Sequence, residues 1–405
     1  MSFAHREAPR EAPGQAPAPD VAEHRCVRWA LQDDNTGKTP KDMVFAILDS
    51  FAGAKSELVM LFCSPQFHIA EVAAAVGEYA LDARVVGCTT AGEITPLGHR
   101  RGSIVGVSFD TEHFAASVKP IEHLCDFEIA AGFAAARALL AEQELVQQRL
   151  ETPHTFAMLI NDGLAMREEA IVSAFGAALG HVPLVGGSAG TSPTVREPNM
   201  FLDGRVLDNA ALMLLISTDL DFRVFQTQHF KPLELKVVVT KADPANRLVM
   251  EINAEPAAKE YARLLGLDRS DLTPQVFAAH PLVVRAGGRH YARAIQQVNE
   301  DDSLHFFCAI DEGIVLSIAE SGNLIADLES LFVRLDHDLG PVEAVLGFDC
   351  ILRYVEMEQG QMLGDVSRLL AANTVIGFNT YGEQFGTMHM SQTFTGIAFG
   401  SALAK

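Results

Sequence analysis

The sequence predicts a mixed α/β fold: two lobes of mixed β-sheets flanked by helices, built from repeated βαβ-type units. Three observations lead there. Short apolar runs bounded by turn residues alternate with helix-like segments along the chain. One strand–helix–turn segment recurs near both ends and, more faintly, in the middle. An apolar fraction of 48% against 20% charged residues supplies enough side chains to cover such sheets.

In chain order, Met1 to about Asp20 is rich in Ala, Pro and charge, and lacks the apolar stretch of a signal peptide; a disordered tail is expected over residues 1–22. Leu58–Cys63 reads as a buried strand and His68–Leu81 as the helix after it. The turn Val85-Val86-Gly87-Cys88-Thr89-Thr90-Ala91-Gly92-Glu93 then lies over Val375-Ile376-Gly377-Phe378-Asn379-Thr380-Tyr381-Gly382-Glu383 near the other end. The register survives an irregular gap, because Val105–Phe109 sits as far beyond Glu93 as Thr395–Phe399 sits beyond Glu383. The last copy opens with the strand Val345–Cys350 and the helix Leu363–Ala372. The middle copy has a strand at Phe156–Ile160, a helix near Arg167–Leu179, a turn at Val185–Gly190 and a strand at Ala211–Ile216. Strand, crossover helix and strand give parallel neighbours. Ala115–Lys119 and Phe222–Gln228 are expected to add antiparallel pairs.

Leu235 to about Leu316 breaks the pattern. Pro256–Leu265 reads as a helix ended at Gly266, with strands at Pro281–Arg285, His290–Val298 and Leu304–Ile310. Glu320–Leu335 carries Leu324, Leu328, Leu331 and Leu335 at helical spacing. The expected domains are 23–230 and 231–405, divided near Lys231-Pro232.

Acidic residues outnumber basic ones by 52 to 31, a net charge of −21, which disfavours nucleic acid and anionic lipid as partners. No apolar run approaches the roughly 20 residues that span a bilayer. Six scattered cysteines without a Cys-x-x-Cys pair read as reduced thiols, and a cytoplasmic location is expected.

The two end turns resemble the FIST domains, a sensory module with N-terminal and C-terminal parts: Val86–Ile94 resembles the N-part motif, and Gly377–Glu383 with His389–Gly400 the end of the C-part. The resemblance runs from about Val27 to Gly400. Within the family the chain looks most like the haem-binding, nitric-oxide-sensing branch (NosP), through Thr227–Pro232, Gln275–Pro281, Ala309–Gly313 and Gly377–Gly386. That resemblance implies haem b, nitric oxide as the signal, and output in trans through a separate histidine kinase or cyclic-di-nucleotide enzyme. Whether the chain forms a homodimer is left open.

His229 closes the strand Phe222–Gln228 just before a Pro, which fixes an imidazole beside Phe230. A satisfied strand-end histidine would look the same; the resemblance makes His229 the expected proximal iron ligand, with His280 and His290 as alternatives. On that reading nitric oxide bound at the iron weakens the iron–histidine bond and loosens the junction at Pro232. Two glycine turns facing each other would clasp a small polar molecule such as an amino acid through Cys88, Thr89, Thr90, Glu93, Asn379, Tyr381 and Glu383. Equally, the glycines make tight connections and the two carboxylates cap backbone. Gly186-Gly187-Ser188-Ala189-Gly190 fits the nucleophile-elbow pattern, but a loop at Thr191–Thr194 follows where a helix is required. Cys88 has no basic neighbour to activate it. No catalytic residues are expected.

Overall fold

Three copies of one chain path build most of the molecule. The computed structural model describes residues 25–34, 37–53, 55–190, 199–286 and 288–401; the expected tail (1–22) and the loop expected at Thr191–Thr194 lie outside the described residues. Each copy runs strand, helix, strand, helix, strand, hairpin, strand. Unit one comprises Val27–Asp33, Pro40–Phe51, Ser56–Cys63, Ile69–Tyr79, Arg84–Thr89, the hairpin Glu93–Thr95/Gly98–Arg100, and Ser103–Asp110. Unit two comprises Phe114–Ile121, Ile129–Val146, His154–Asp162, Glu168–Leu179, Leu184–Ala189, the hairpin Met200–Leu202/Arg205–Leu207, and Ala211–Thr218. Unit three comprises Phe222–Thr227, Leu324–Leu339, Val342–Cys350, Leu363–Ala372, Val375–Thr380, the hairpin Glu383–Phe385/Met388–Met390, and Phe394–Gly400, with an added helix at Ile351–Gln359.

In every unit the last strand pairs antiparallel with the first and second strands, and the second pairs parallel with the third. The sheets are therefore mixed. The hairpins do not complete their own sheets. Unit one lends its hairpin to the sheet of unit three, where Ile94 pairs with Gly377. Unit two lends to unit one, where Phe201 pairs with Gly87, and unit three to unit two, where Gln384 pairs with Gly186. The exchange is cyclic.

The inner faces of all three sheets meet in one shared core, which includes Phe62, Ile160 and Phe348. Helices bury each outer face: Val44 and Val72 over unit one, Leu139 and Phe175 over unit two, Leu331 and Leu370 over unit three. Coverage on both faces is why the central strands read as continuous apolar runs rather than alternating ones.

The stretch that broke the repeat is an insertion into unit three. Between Thr227 and Leu324 the chain builds a fourth, eight-stranded sheet whose own core includes Val239, Ile252, Tyr261, Phe277 and Leu316. The third sheet thus draws on Phe222–Thr227 and on 342–400, on either side of Lys231-Pro232. Ala115–Lys119 and Phe222–Gln228 fall in strands that pair antiparallel as expected, each edging the sheet of the following unit. Two expectations are corrected. The strand expected over His290–Val298 is two strands, because Arg289–Arg293 pairs with Leu282–Ala286 whereas Ile295–Val298 pairs with Leu304–Phe306. The helix expected from Glu320 starts at Leu324, since Val315–Ser321 is a strand and the Asn323 side chain caps the helix by accepting from Ala326 N–H. Among the described residues no helix is long and apolar enough to cross a membrane.

Candidate functional site

The inserted sheet docks on units two and three through charged and polar side chains, so a polar seam is buried where an apolar one would cost less. At one end, His229 occupies the short link between Phe222–Thr227 and the long strand Phe230–Asp243. Its ring is 3% exposed and faces the helix Ile351–Gln359. Arg353 Nη1 donates to His229 Nδ1 at 2.9 Å. A guanidinium has no acceptor, so Nδ1 carries the lone pair and Nε2 carries the hydrogen. Nε2–H then donates to the Glu356 carboxylate, 2.8 and 2.9 Å from its two oxygens. Asp349 anchors Arg353 at 2.6 Å, and the Ser321 hydroxyl donates to Glu356 from the inserted sheet. Burial pushes the Asp349 carboxyl up. Burial acts on Glu356 in the same sense but is outweighed by the His229 and Ser321 bonds, which hold it below its ordinary value.

At the other end, Arg247 of the inserted sheet meets unit two. Its Nη2 donates to Glu168 at 2.5 Å and to Glu169 at 2.9 Å, and the other Glu169 oxygen accepts Ala309 N–H at 2.6 Å. The paired carboxylates keep the guanidinium charged against the opposing effect of its burial. His389, on the borrowed hairpin of unit three, is held down to about 4 by burial and by Arg247 and Arg293, against the pull of Glu169.

Among the described residues, several buried polar atoms lack a hydrogen-bond partner: Arg353 Nη2 at the first end, His389 Nε2 at the second with Gln384 Oε1 of the neighbouring side chain, and also Arg293 Nε, His280 Nδ1 and Gln392 Oε1. Such groups are rare in folded chains because each forfeits its solvation. Gln392 and His280 belong to the seam: Gln392 Nε2 bonds the Ala278 carbonyl, and His280 follows the helix Pro274–Ala279. His290 joins it through its carbonyl, which accepts from Gln228 beside His229 at 3.0 Å. The structure thus gathers His229, His280 and His290 along one seam. A haem iron needs a nitrogen lone pair turned toward the metal. As positioned, His229 has none to offer, since Arg353 and Glu356 take both ring nitrogens, and the residues present do not fit a His229-ligated haem.

The glycine turns meet one another instead of facing across a gap. Asn379 O accepts from Ala91 N, Ser188 O from Tyr381 N, and Thr89 O from Gly190 N, a cyclic set of turn-to-turn bonds. The Thr89 hydroxyl donates to the Gly190 carbonyl, and Asn379 Nδ2 to Asp349 O. Glu93 and Glu383 are fully buried and cap neighbouring groups alike. Thr90 Oγ1 donates to one Glu93 oxygen at 2.5 Å and Ser103 Oγ to the other at 2.7 Å. Thr380 and Thr393 do the same for Glu383, the latter at 2.6 Å. Burial raises Glu93 to about 7 and Glu383 to about 8. Cys88 is not exposed at a turn: it is wholly buried in the shared core, and burial next to Glu93 pushes its thiol far above the usual range. Ser188 lies inside the strand Leu184–Ala189 rather than at a strand-to-helix turn, and its hydroxyl accepts from Gln384. Sequence reading missed Arg247, Arg353 and Glu356, whose bonds to Glu168, Glu169 and His229 span 78 to 127 residues; the available signal was Asp349 at the end of a strand followed by Arg353 and Glu356 on the next helix.

Fold and seam together define a mixed α/β protein in which an inserted sheet is docked on a three-unit core through buried charge. Residues 57–255 match the FIST N domain and residues 257–386 the FIST C domain. The chain belongs to the FIST-domain family, whose modules are sensory domains of signalling proteins and typically not catalytic. No curated protein matches it.

Proposed function

We propose that this protein is a non-enzymatic cytoplasmic sensor whose small polar ligand binds in the seam between the inserted sheet and units two and three. One observation carries the reading: the seam buries donors and acceptors that the protein leaves unpaired. Arg353 Nη2 and Arg293 Nε suit a carboxylate, while Gln384 Oε1 and Gln392 Oε1 suit an ammonium, so a zwitterion such as a free amino acid matches both sets. A ligand bridging the two sides has differential affinity for docked and undocked arrangements of the inserted sheet, which is what a signal requires. Output then passes in trans to a histidine kinase or cyclic-di-nucleotide enzyme. Calorimetry of the full chain against the free amino acids tests it: binding by a subset, weakened at least tenfold in Arg293→Met, is expected. No binding by any of them overturns it.

The haem-based nitric oxide reading rests on the resemblance and on the gathering of three histidines at the seam, where His280 Nδ1 lacks a partner. It requires an iron ligand other than His229 as now paired. A Soret band that shifts on nitric oxide addition to fresh protein supports it; protein that stays colourless when supplied with haem removes it.

A further inference from the structure

We infer that Cys26, Asp110 and His113 form a structural site for a divalent transition metal, of which Zn²⁺ fits best, at the end of the molecule where the three units are joined. Ligand atoms from the three side chains all lie within 4.8 Å of one another. Tetrahedral zinc bound by sulfur, nitrogen and oxygen holds its ligands roughly 3.4–3.7 Å apart, so a small inward movement closes the set. One thiolate, one imidazole and one carboxylate suit a borderline-soft ion better than Mg²⁺ or Ca²⁺, which take oxygen alone.

The surroundings are organised for such a site. Cys26 is 4% exposed, immediately before the strand Val27–Asp33. Its carbonyl accepts Asp110 N–H at 3.1 Å, and Asp110 Oδ1 accepts His113 N–H at 2.7 Å, so backbone bonds hold the three residues in place. Asp219 Oδ1 contacts His113 Nδ1 at 2.9 Å, the carboxylate–imidazole pairing that fixes a ligating ring. Glu343 approaches Cys26 from unit three, its Oε1 accepting Val27 N–H at 2.8 Å. Asp110 and Asp219 thus flank the imidazole, and Glu343 flanks the thiol.

Its placement gives the site a task. Cys26 opens unit one, His113 lies in the link from unit one to unit two, Asp219 lies in the link from unit two to unit three, and Glu343 belongs to unit three. A metal here staples the start of the chain path to both links. Binding releases the Cys26 thiol proton to solvent, so affinity falls as pH falls. Sequence spacing could not show it, because the ligands are 84 and 3 positions apart.

Full-length protein stripped with chelator and titrated with Co²⁺ tests the site. The expected result is one equivalent bound, with a thiolate-to-cobalt charge-transfer band that Zn²⁺ displaces and that Cys26→Ser abolishes, while Cys125→Ser, at the exposed thiol, keeps it. His113→Gln should weaken binding at least tenfold. No band in the wild type, or a band lost in Cys125→Ser, overturns the site. The wild-type and Cys125→Ser spectra decide even where Cys26→Ser fails to fold.

Discussion

His229 Nε2 stands 2.8 Å from Glu356 Oε2, and this contact ties the link before the inserted sheet to a helix of unit three. Removing the imidazole takes from Glu356 and the fully buried Arg353 the partner they share, leaving Ser321 on the one and Asp349 on the other. Taking one member from a buried charged set costs about 3–5 kcal/mol. His229→Ala is expected to lose stability on that scale in urea unfolding. His229→Gln keeps an acceptor for Arg353 and a donor for Glu356, and should recover a large part of the loss. Equal losses in both variants would show that the pairing contributes nothing.

The raised carboxyls give a pH dependence of definite sign. Glu383 has a folded value of about 8 against an ordinary 4.5. Between those limits the folded protein holds a proton that the unfolded chain has released, so this group's contribution is full below about 4.5 and is lost as pH rises through 8. Subtracting the Glu383→Gln stability profile from the wild type should leave a curve falling with pH across that window, by at most about 1.4 kcal/mol per pH unit. Glu93, at about 7, should behave alike over a shorter window. His389 runs the other way. Its folded value of about 4 against 6.5 makes its contribution full above 6.5 and lost as pH falls toward 4.

The central strands and the crossover helices were legible in the sequence because they are local: apolar runs, glycine turns and repeated spacing. The helix Pro40–Phe51 was legible too but unread, since Thr39 and Asp42 form a capping box with Pro40 at the first turn. Hairpin exchange was not legible. Glu93, Met200 and Glu383 sit in hairpins whose partner strands lie in other units, and nothing local specifies which sheet receives them. The site was half legible: His229 stood out by its place before Pro232, whereas Arg353 and Glu356 look like ordinary solvated helix charges until the inserted sheet covers them.

The repeat contains its own control for the buried Thr–Glu–Ser/Thr cap. Hairpin register places Met200 of unit two where units one and three have Glu93 and Glu383. Ala189 and Ala210 of unit two then match Thr90 with Ser103, and Thr380 with Thr393. All three unit-two residues are fully buried. The polar cap and the apolar filling are therefore alternative solutions, each self-consistent. Thr380→Ala alone strips a donor from a buried carboxyl and should cost about 1–3 kcal/mol. The triple change Thr380→Ala, Glu383→Met, Thr393→Ala copies unit two and should cost less than the sum of its single changes, by more than about 1 kcal/mol of coupling. Additive losses would mean that the three side chains do not act as one group.

The glycine shared by all three turns is fixed by packing, and its substitution should be severe wherever it falls. At Gly186 a Cβ would fall onto the Leu159 carbonyl of the parallel neighbour strand, and at Gly377 onto the Gly347 carbonyl. At Gly87 the Leu61 carbonyl stands 2.9 Å from the same position and the Phe201 ring closer still. In each unit the obstacle includes backbone, which no rotamer change can clear. Gly186→Ala and Gly377→Ala are expected to cost more than the about 1–3 kcal/mol of ordinary overpacking. Gly266→Ala is the comparison, since nothing lies within 4 Å of its Cβ position and only its φ of +69° opposes the change; a loss there of about 1 kcal/mol is expected. Thermal unfolding of the three variants separates the two causes. If Gly186→Ala melts no lower than Gly266→Ala, close approach of the parallel strands is not what keeps glycine in the turn.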